Sequence, residues 1–227
     1  VNVNIEIVKD AKLSIIIDKA NGDFIKLQGE AELTGGIDPS GKTTLLGRYE
    51  VNEGAYEMSV NVLKRKFDIQ KGSSITWTGE PMKATLDITA IYKTKAAPMD
   101  LIQQQISALE NAAEQNMFKQ QIPFNTLLKL SGELLKPEIK FDIEIDGNNP
   151  SISSNVISMT NEKLAQLRTE ESEMNKQVFA LLLLNRFIGE NPFESSTGMS
   201  AESMARQSVS KLLSQQLNNL AAHLIHG

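Results

Sequence analysis

The sequence predicts a mainly β protein in which an antiparallel sheet is interrupted once by a helical segment and followed by helices. From residue 1 to residue 95, apolar and polar side chains alternate with a period of two, as in strands with one dry and one solvated face. Short turn sequences separate these runs, which favours antiparallel neighbours in a meander. The alternation stops between residues 99 and 121 and again beyond residue 150.

Each predicted strand places apolar residues at alternate positions. Leu27, Ala31 and Leu33, for example, alternate with lysine, glutamine and glutamate. The predicted turns are Asn21-Gly22, Asp38-Pro39-Ser40-Gly41, Asn52-Glu53-Gly54, Lys71-Gly72-Ser73 and Gly79-Glu80-Pro81. The same alternation returns at residues 124–135 and 138–146, so we expect the sheet to continue after the interruption.

The remaining segments have helical patterns. Residues 99–121, which follow Pro98, are rich in Gln and Ala and have a thin apolar stripe, which predicts a partly exposed and flexible helix. Further helices are expected over 161–188 and 200–225. The predicted organisation is an amphipathic sheet (1–97), a Gln-rich helical excursion (98–121), continuing strands (122–150) and a helical C-terminal region (151–227) with a linker at 189–199.

The composition leaves few groups for chemistry. The 227 residues include no cysteine and two histidines, His223 and His226, and the formal net charge is −5. A negative net charge argues against a nucleic-acid-binding surface, which needs clustered Lys and Arg. Two histidines three residues apart do not supply a zinc site without further ligands. We therefore expect no enzyme, no cofactor, no metal and no nucleic acid.

One segment matches a nucleotide-binding motif. Residues Gly36-Ile37-Asp38-Pro39-Ser40-Gly41-Lys42-Thr43 fit the phosphate-loop pattern at every position. That loop works only between a buried strand and a helix, whose N-terminus faces the phosphates. The residues that follow Thr43 alternate like a strand, so we interpret residues 38–41 as a hairpin turn and expect no nucleotide.

The dry face of the sheet admits two architectures. Two sheets can bury their dry faces against each other in a β-sandwich, or one sheet can curl so that its dry face lines a groove. The sequence pattern leaves both open. In the groove, the side chains expected to line it and hold hydrophobic cargo are Leu27, Ala31, Leu33, Tyr49, Val51, Met58, Val60, Phe67, Ile69, Trp77, Leu86, Ile88, Leu130, Phe141 and Ile143.

An ordered set of phrases resembles a known family. It includes Gly22-Asp23-Phe24, Gly47-Arg48-Tyr49-Glu50-Val51, Phe67-Asp68-Ile69-Gln70-Lys71-Gly72-Ser73, Leu130-Ser131-Gly132-Glu133-Leu134-Leu135-Lys136-Pro137 and Phe179-Ala180-Leu181-Leu182-Leu183-Leu184-Asn185-Arg186-Phe187. In this order they resemble the C-terminal domain of the TamB family, the AsmA-like translocation and assembly module subunit of Gram-negative envelopes. The Gln-rich insertion is similar to the Bacteroidota branch.

The resemblance implies a fold and a role. The fold would be a β-taco, a curled antiparallel sheet with an apolar groove. The role would be to move phospholipids or support outer-membrane protein assembly, as the periplasmic part of an inner-membrane-anchored protein that reaches the outer membrane. The implied partners are phospholipid or outer-membrane protein precursors and an Omp85-type, TamA-like barrel. The chain would then be a segment of a longer protein. The alternative is a structural or adhesive β-sandwich module without a transport role.

Overall fold

The computed structural model describes residues 2–18, 20, 22–60, 63–147 and 149–189, without the side chains of residues 13, 15–18, 58 and 60. Within these residues the strands are β1 (Asn2–Ile7), β2 (Lys12–Asp18), β3 (Asp23–Ile37), β4 (Thr43–Val60), β5 (Leu63–Ile69), β6 (Ser74–Gly79), β7 (Thr85–Ala96), β8 (Ile122–Glu133) and β9 (Lys136–Ile145). The helices are α1 (Gln103–Ser107), α2 (Ala112–Met117), α3 (Ser154–Leu167) and α4 (Glu171–Leu184). The predicted mainly β class is confirmed.

The strands form one sheet with the hydrogen-bonded order β1-β3-β4-β5-β7-β8-β9. Strand β2 also pairs with β3, and β6 pairs with β4 and β7. The pairings from β1 to β7 are antiparallel. The long strands β3 and β4 therefore each pair with two shorter strands along one edge, which is a departure from a simple meander.

The described chain divides into two compact units. Unit 1 contains residues 2–91 and 128–140, and unit 2 contains residues 92–127 and 141–189. Strands β7, β8 and β9 each contribute residues to both units. Among its described residues, unit 1 contains strands and a single 3-10 turn, Pro81–Lys83, but no α-helix. All four α-helices belong to unit 2.

Glycines on the dry side of β3 and β4 allow these strands to approach closely. Leu33 is the register partner of Gly47, and Leu27 is the partner of Gly54. A Cβ atom on Gly47 would lie 2.3 Å from the Glu32 carbonyl oxygen and 2.8 Å from Leu33 Cδ2. The backbone of Gly47 has φ +128°, which side chains of L-residues rarely permit. The leucines therefore fill the space that the missing side chains leave.

The prediction of a turn at residues 52–54 is wrong, because the chain continues there as a strand. Strand β4 continues from Thr43 to Val60, and the register jumps from the Gln28–Glu53 pair to the Gly29–Val51 pair, so Asn52 is an extra residue in a β-bulge. A bulge bends its strand and increases the local twist. The bulge explains why the sequence resembles a turn, and it curls the sheet between β3 and β4.

The hairpin turn predicted at residues 38–41 is confirmed. The Asp38 carboxylate accepts hydrogen bonds from Ser40 N at 2.8 Å, Ser40 Oγ at 2.6 Å and Lys42 N at 3.0 Å. The hydroxyl of Ser40, followed by the backbone amides, lowers the pKa of the Asp38 carboxyl below its ordinary value. Residues 43–60 continue as a strand, so the match to the phosphate-loop pattern lacks the helix that its chemistry needs.

The helix predicted over residues 99–121 is divided. A 3-10 turn at Pro98–Asp100 precedes α1, and α2 starts again after Asn111. The Asn111 side chain accepts a hydrogen bond from Ala113 N at 2.8 Å, so it caps a new helix instead of continuing the old one. The segment is partly exposed, but its thin apolar stripe is buried, since Ile102 and Phe118 are both 0 % exposed.

The helix predicted over residues 161–188 is two helices and begins earlier. Val156, Thr160 and Leu164, at i, i+4 and i+8, form the buried stripe of α3. Helix α3 ends at Arg168, whose backbone N–H still bonds the Leu164 carbonyl while its side chain bonds strand β9, with Nε 2.9 Å from Asp142 Oδ1 and Nη2 donating to the Ile143 carbonyl at 2.8 Å. The linker predicted at 189–199 lies almost wholly outside the described residues. The helix predicted at 200–225 lies outside them altogether.

Unit 2 has an aromatic core under α4. Phe124 meets Phe187 edge to face at 4.9 Å between ring centroids, and Phe141 meets Phe179 at 5.3 Å. Edge-to-face geometry brings the positive ring edge to the negative face of the partner. The end of α4 is fixed by Asn185, whose backbone is left-handed at φ 52° and whose side chain accepts a hydrogen bond from Tyr92 Oη at 2.7 Å.

We predict that Gly47→Ala destabilises the protein by about 1–3 kcal/mol, because the new methyl group meets backbone and the conformation is strained. Gly35→Ala is the matched control. Its Cβ would have no neighbour closer than 3.9 Å. The control should therefore change stability by less than about 1 kcal/mol. Urea unfolding of both variants measures the difference, and equal midpoints would contradict the close approach of β3 and β4.

Candidate functional site

The candidate site is the apolar face of unit 1. Among the described residues it includes two hydrophobic clusters that share Trp77. The first contains Ala31, Leu33, Tyr49 and Val51 with Ile7, Leu27, Leu45, Ile69 and Trp77, and the second contains Ile75, Ala84, Leu86 and Leu134 with Trp77 and Ile88. The apolar face therefore runs continuously from β1 across the sheet to β7 and the residue that follows β8.

The fifteen side chains predicted to line a groove divide by exposure. Those that are buried are Ala31, Leu33, Tyr49, Val51, Phe67, Leu86, Leu130 and Ile143. Those that are half-buried are Leu27, Ile69, Trp77, Ile88 and Phe141. The side chains of Met58 and Val60 lie outside the described set. The buried side chains of this set in unit 1 form a packed layer, which we call the floor of the apolar face. The half-buried side chains are more accessible.

The accessible positions pack directly onto the floor. Leu27 and Ile69 both approach Gly54, since a Cβ atom there would lie 2.7 Å from Leu27 Cδ2 and 3.2 Å from Ile69 Cβ. Trp77 is held by a hydrogen bond from its Nε1 to the Pro81 carbonyl at 3.1 Å, which fixes the indole where the two clusters meet. These three side chains are therefore held in place by packing or by a hydrogen bond while remaining only partly buried.

The apolar face becomes exposed toward β1. Ile7, which pairs with Ala31, packs on the first cluster, whereas Ile5 is 43 % exposed and Val3 is 55 % exposed. Residues at alternate positions of a strand point to the same side. The same face that is a packed core at Ala31 is therefore open to solvent at the first strand.

Two predicted groove residues belong to unit 2. Ile143 is fully buried in that unit, and Phe141 packs against Phe179 of α4. Leu130, by contrast, belongs to unit 1. Periodicity placed Phe141 and Ile143 on the dry side of their strand, but it did not show that a helix packs on Phe141.

Polar groups on the apolar face were missed by the sequence analysis. Asp23, only 1 % exposed, lies on the same side of β3 as Ile25 and Leu27, and its Oδ1 accepts a hydrogen bond from Ser59 N at 2.8 Å. Asp23 Oδ2, Tyr49 Oη and Tyr56 Oη are buried with no hydrogen-bond partner among the described residues. The available signal was the position of Asp23, two residues before Ile25 in the alternation.

Burial controls the protonation of the two tyrosines. Desolvation raises the pKa of the Tyr49 phenol, and desolvation followed by the negative charge of Asp23 raises the pKa of the Tyr56 phenol. Both effects disfavour the phenolate, because burial penalises a charge and a nearby carboxylate repels a second one. Both phenols therefore stay protonated at neutral pH, and each phenol oxygen can donate one hydrogen bond and accept others.

The described residues offer little else for chemistry. They contain no group of three or more His, Asp or Glu side chains arranged to hold a metal ion. In the same part of the chain, no helix has the length and apolar character required to cross a membrane. The feature that characterises this surface is its continuous apolar area, which also contains the buried oxygens of Asp23, Tyr49 and Tyr56.

The raised pKa of Tyr56 predicts a pH dependence of stability. A proton bound more tightly in the folded state leaves stability intact below the ordinary phenol pKa of about 10, and stability is lost as the pH rises above it. The free energy of unfolding should therefore fall more steeply above pH ~10 in the wild type than in Tyr56→Phe. Urea titrations from neutral to alkaline pH measure both slopes, and identical slopes would rule out a buried phenol.

The comparisons with known proteins give a family. The model of the TamB C-terminal domain matches residues 1–225, which is nearly the whole chain. Neither a curated protein nor a solved structure matches the chain. Members of the TamB family are non-enzymatic envelope proteins of outer-membrane assembly and lipid transport, and in general they work with an Omp85-type barrel, TamA. The strand order, the apolar face and this match lead to one conclusion: the chain belongs to the TamB C-terminal domain family.

Proposed function

We propose that the apolar face of unit 1 holds hydrophobic cargo, phospholipid acyl chains above all, during transport between the membranes of a Gram-negative envelope. The observation that carries this proposal is the continuity of the apolar face from its buried floor to exposed Val3 and Ile5. Exposed apolar side chains that continue a buried face provide a surface that hydrophobic cargo can contact.

Acyl chains suit such a face energetically. Burying one CH2 group contributes roughly 0.8 kcal/mol, so contact with several half-buried side chains holds a tail without any specific polar contact. Leu27, Ile69 and Ile88 supply contacts of this kind. Weak, repeated contacts also let a tail slide, because no single contact must be broken at large cost.

The periplasm and an Omp85-type partner complete the proposal. The family match supports an envelope location. In this proposal the protein is anchored in the inner membrane, and a TamA-like barrel in the outer membrane receives the lipid or an assembling outer-membrane protein. Strand β1 ends the hydrogen-bonded order of the sheet, and the edge of a sheet is suited to pairing with an added strand.

One observation favours a second candidate, a structural or adhesive module. Val51 and Phe67 are each 1 % exposed, as expected for a closed core. In that case the apolar face would stabilise the fold without holding cargo. The half-buried positions distinguish the two candidates, because only a cargo-holding face makes them accessible to lipid.

We predict that a photo-crosslinking residue at position 27 or 69 captures phospholipid in the protein's native cells. Position 68 is the matched control, because Asp68 is exposed and its neighbour Ile69 points to the other face. Mass spectrometry of the purified adducts should find lipid at 27 and 69 and little at 68. Adducts to barrel precursors instead would assign the face to protein assembly, and no adducts at 27 or 69 would favour the closed module.

A further inference from the structure

A carboxylate lies inside the apolar face. Asp23 begins β3 and shares a side with Ile25, Leu27, Ala31 and Leu33. It is 1 % exposed, and only one of its two oxygens, Oδ1, has a donor, Ser59 N. The Lys64 ammonium lies near Gly22, 4.0 Å from where a Cβ would be. It does not satisfy Asp23 Oδ2, which has no partner among the described residues.

The phenol of Tyr56, which also lacks a hydrogen-bond partner among the described residues, lies near Asp23 on the same face. Tyr56 is the register partner of Ile25, two residues along β3 from Asp23, and it stacks on Phe67 with ring centroids 6.2 Å apart. Its Oη is buried and has no partner in the described part of the chain. The charge of Asp23 acts on this phenol, so the two groups are electrostatic neighbours.

This arrangement is costly for a fold that only needs a core. A buried polar atom without a hydrogen bond loses its solvation and gains nothing, and the loss is larger for a charged group. A buried carboxylate is normally paired with a cation. An apolar residue at position 23 would continue the alternation without that cost, so the carboxylate indicates a ligand that supplies the missing donor.

The position of Asp23 fits a lipid with its headgroup at one end. Gly22, immediately before it, is exposed and belongs to the turn that joins β2 and β3. From Asp23 to Leu33 the strand extends for roughly 33 Å at ~3.3 Å per residue, with apolar side chains at alternate positions. A headgroup at Asp23 is therefore close to solvent while its tails follow the apolar face.

We propose that Asp23 and Tyr56 form the binding site for the primary ammonium headgroup of a phospholipid such as phosphatidylethanolamine. The ammonium donates to Asp23 Oδ2 and to Tyr56 Oη, and its charge compensates the buried carboxylate. An anionic lipid with a glycerol headgroup lacks that charge and is repelled by the carboxylate. This inference rests on the proposed function, since it assumes that the face holds lipid.

The test is a competition for the full chain between two lipids with identical tails. The protein is incubated with vesicles that contain equal amounts of phosphatidylethanolamine and phosphatidylglycerol, repurified, and analysed for bound lipid by mass spectrometry. The wild type should be enriched in the ethanolamine lipid by about tenfold, the value expected for hydrogen bonds to a charged group. Asp23→Asn should bring the ratio close to one while total bound lipid stays the same.

Two further variants and one soluble competitor test whether the enrichment depends on the proposed ammonium site. Tyr56→Phe removes one hydroxyl without changing the charge and should lower the enrichment part of the way. This variant also tests the site if Asp23→Asn does not fold. Asp87→Asn, a change at an exposed carboxylate of β7, should leave the ratio unchanged. Free phosphoethanolamine, which lacks tails, should not displace lipid at the same concentration.

The outcomes separate the two proposals. Bound lipid with the same headgroup ratio in wild type, Asp23→Asn and Tyr56→Phe overturns the ammonium site and leaves the proposed function standing. Displacement by free phosphoethanolamine assigns the site to a soluble amine and also overturns the lipid assignment. Absence of bound lipid from every protein, all of them folded by circular dichroism, overturns the proposed function and the ammonium site together.

Discussion

The close approach of the paired strands β3 and β4 is the constraint on which the rest of unit 1 depends. Leu33 covers Gly47, Leu27 covers Gly54, and the bulge at Asn52 bends β4 between them. A curled sheet has less room on its inner side than on its outer side, so some inner positions must lack a side chain. Because these glycines are next to large leucines, the apolar face stays continuous where the sheet bends.

The same face tolerates groups that an ordinary core excludes. Tyr49, Tyr56 and Asp23 each bury an oxygen without a partner among the described residues. Such atoms reduce stability, and proteins retain them where they have a use. The order of residues in β3, from Asp23 to Leu33, places a carboxylate at one end of this face and apolar side chains along the rest, and the proposed lipid binding rests on that order.

In unit 2, polar side chains of or next to the helices bond backbone groups of neighbouring segments. The side chain of Gln177 satisfies both backbone groups of Ile188, with bonds of 2.8 and 3.1 Å, and thereby fixes the chain after α4. Arg168 similarly satisfies the Ile143 carbonyl after α3. Both side chains bond backbone groups outside the helices, at Ile188 beyond the end of α4 and at Ile143 in β9, and thereby hold the neighbouring chain in place.

The sequence by itself determined the mainly β class, most of the strands, the dry face and the hairpin at residues 38–41, because alternation and turn chemistry are local properties. Only the tertiary structure decided that residues 52–54 form a bulge, that α1 and α2 are separate, and that Phe141 packs against helix α4. These outcomes depend on partners distant in the chain, such as Leu27 for Gly54 and Phe179 for Phe141. The apolar face followed from the pattern, but Asp23 within it became evident only when burial showed which of its oxygens lacks a partner.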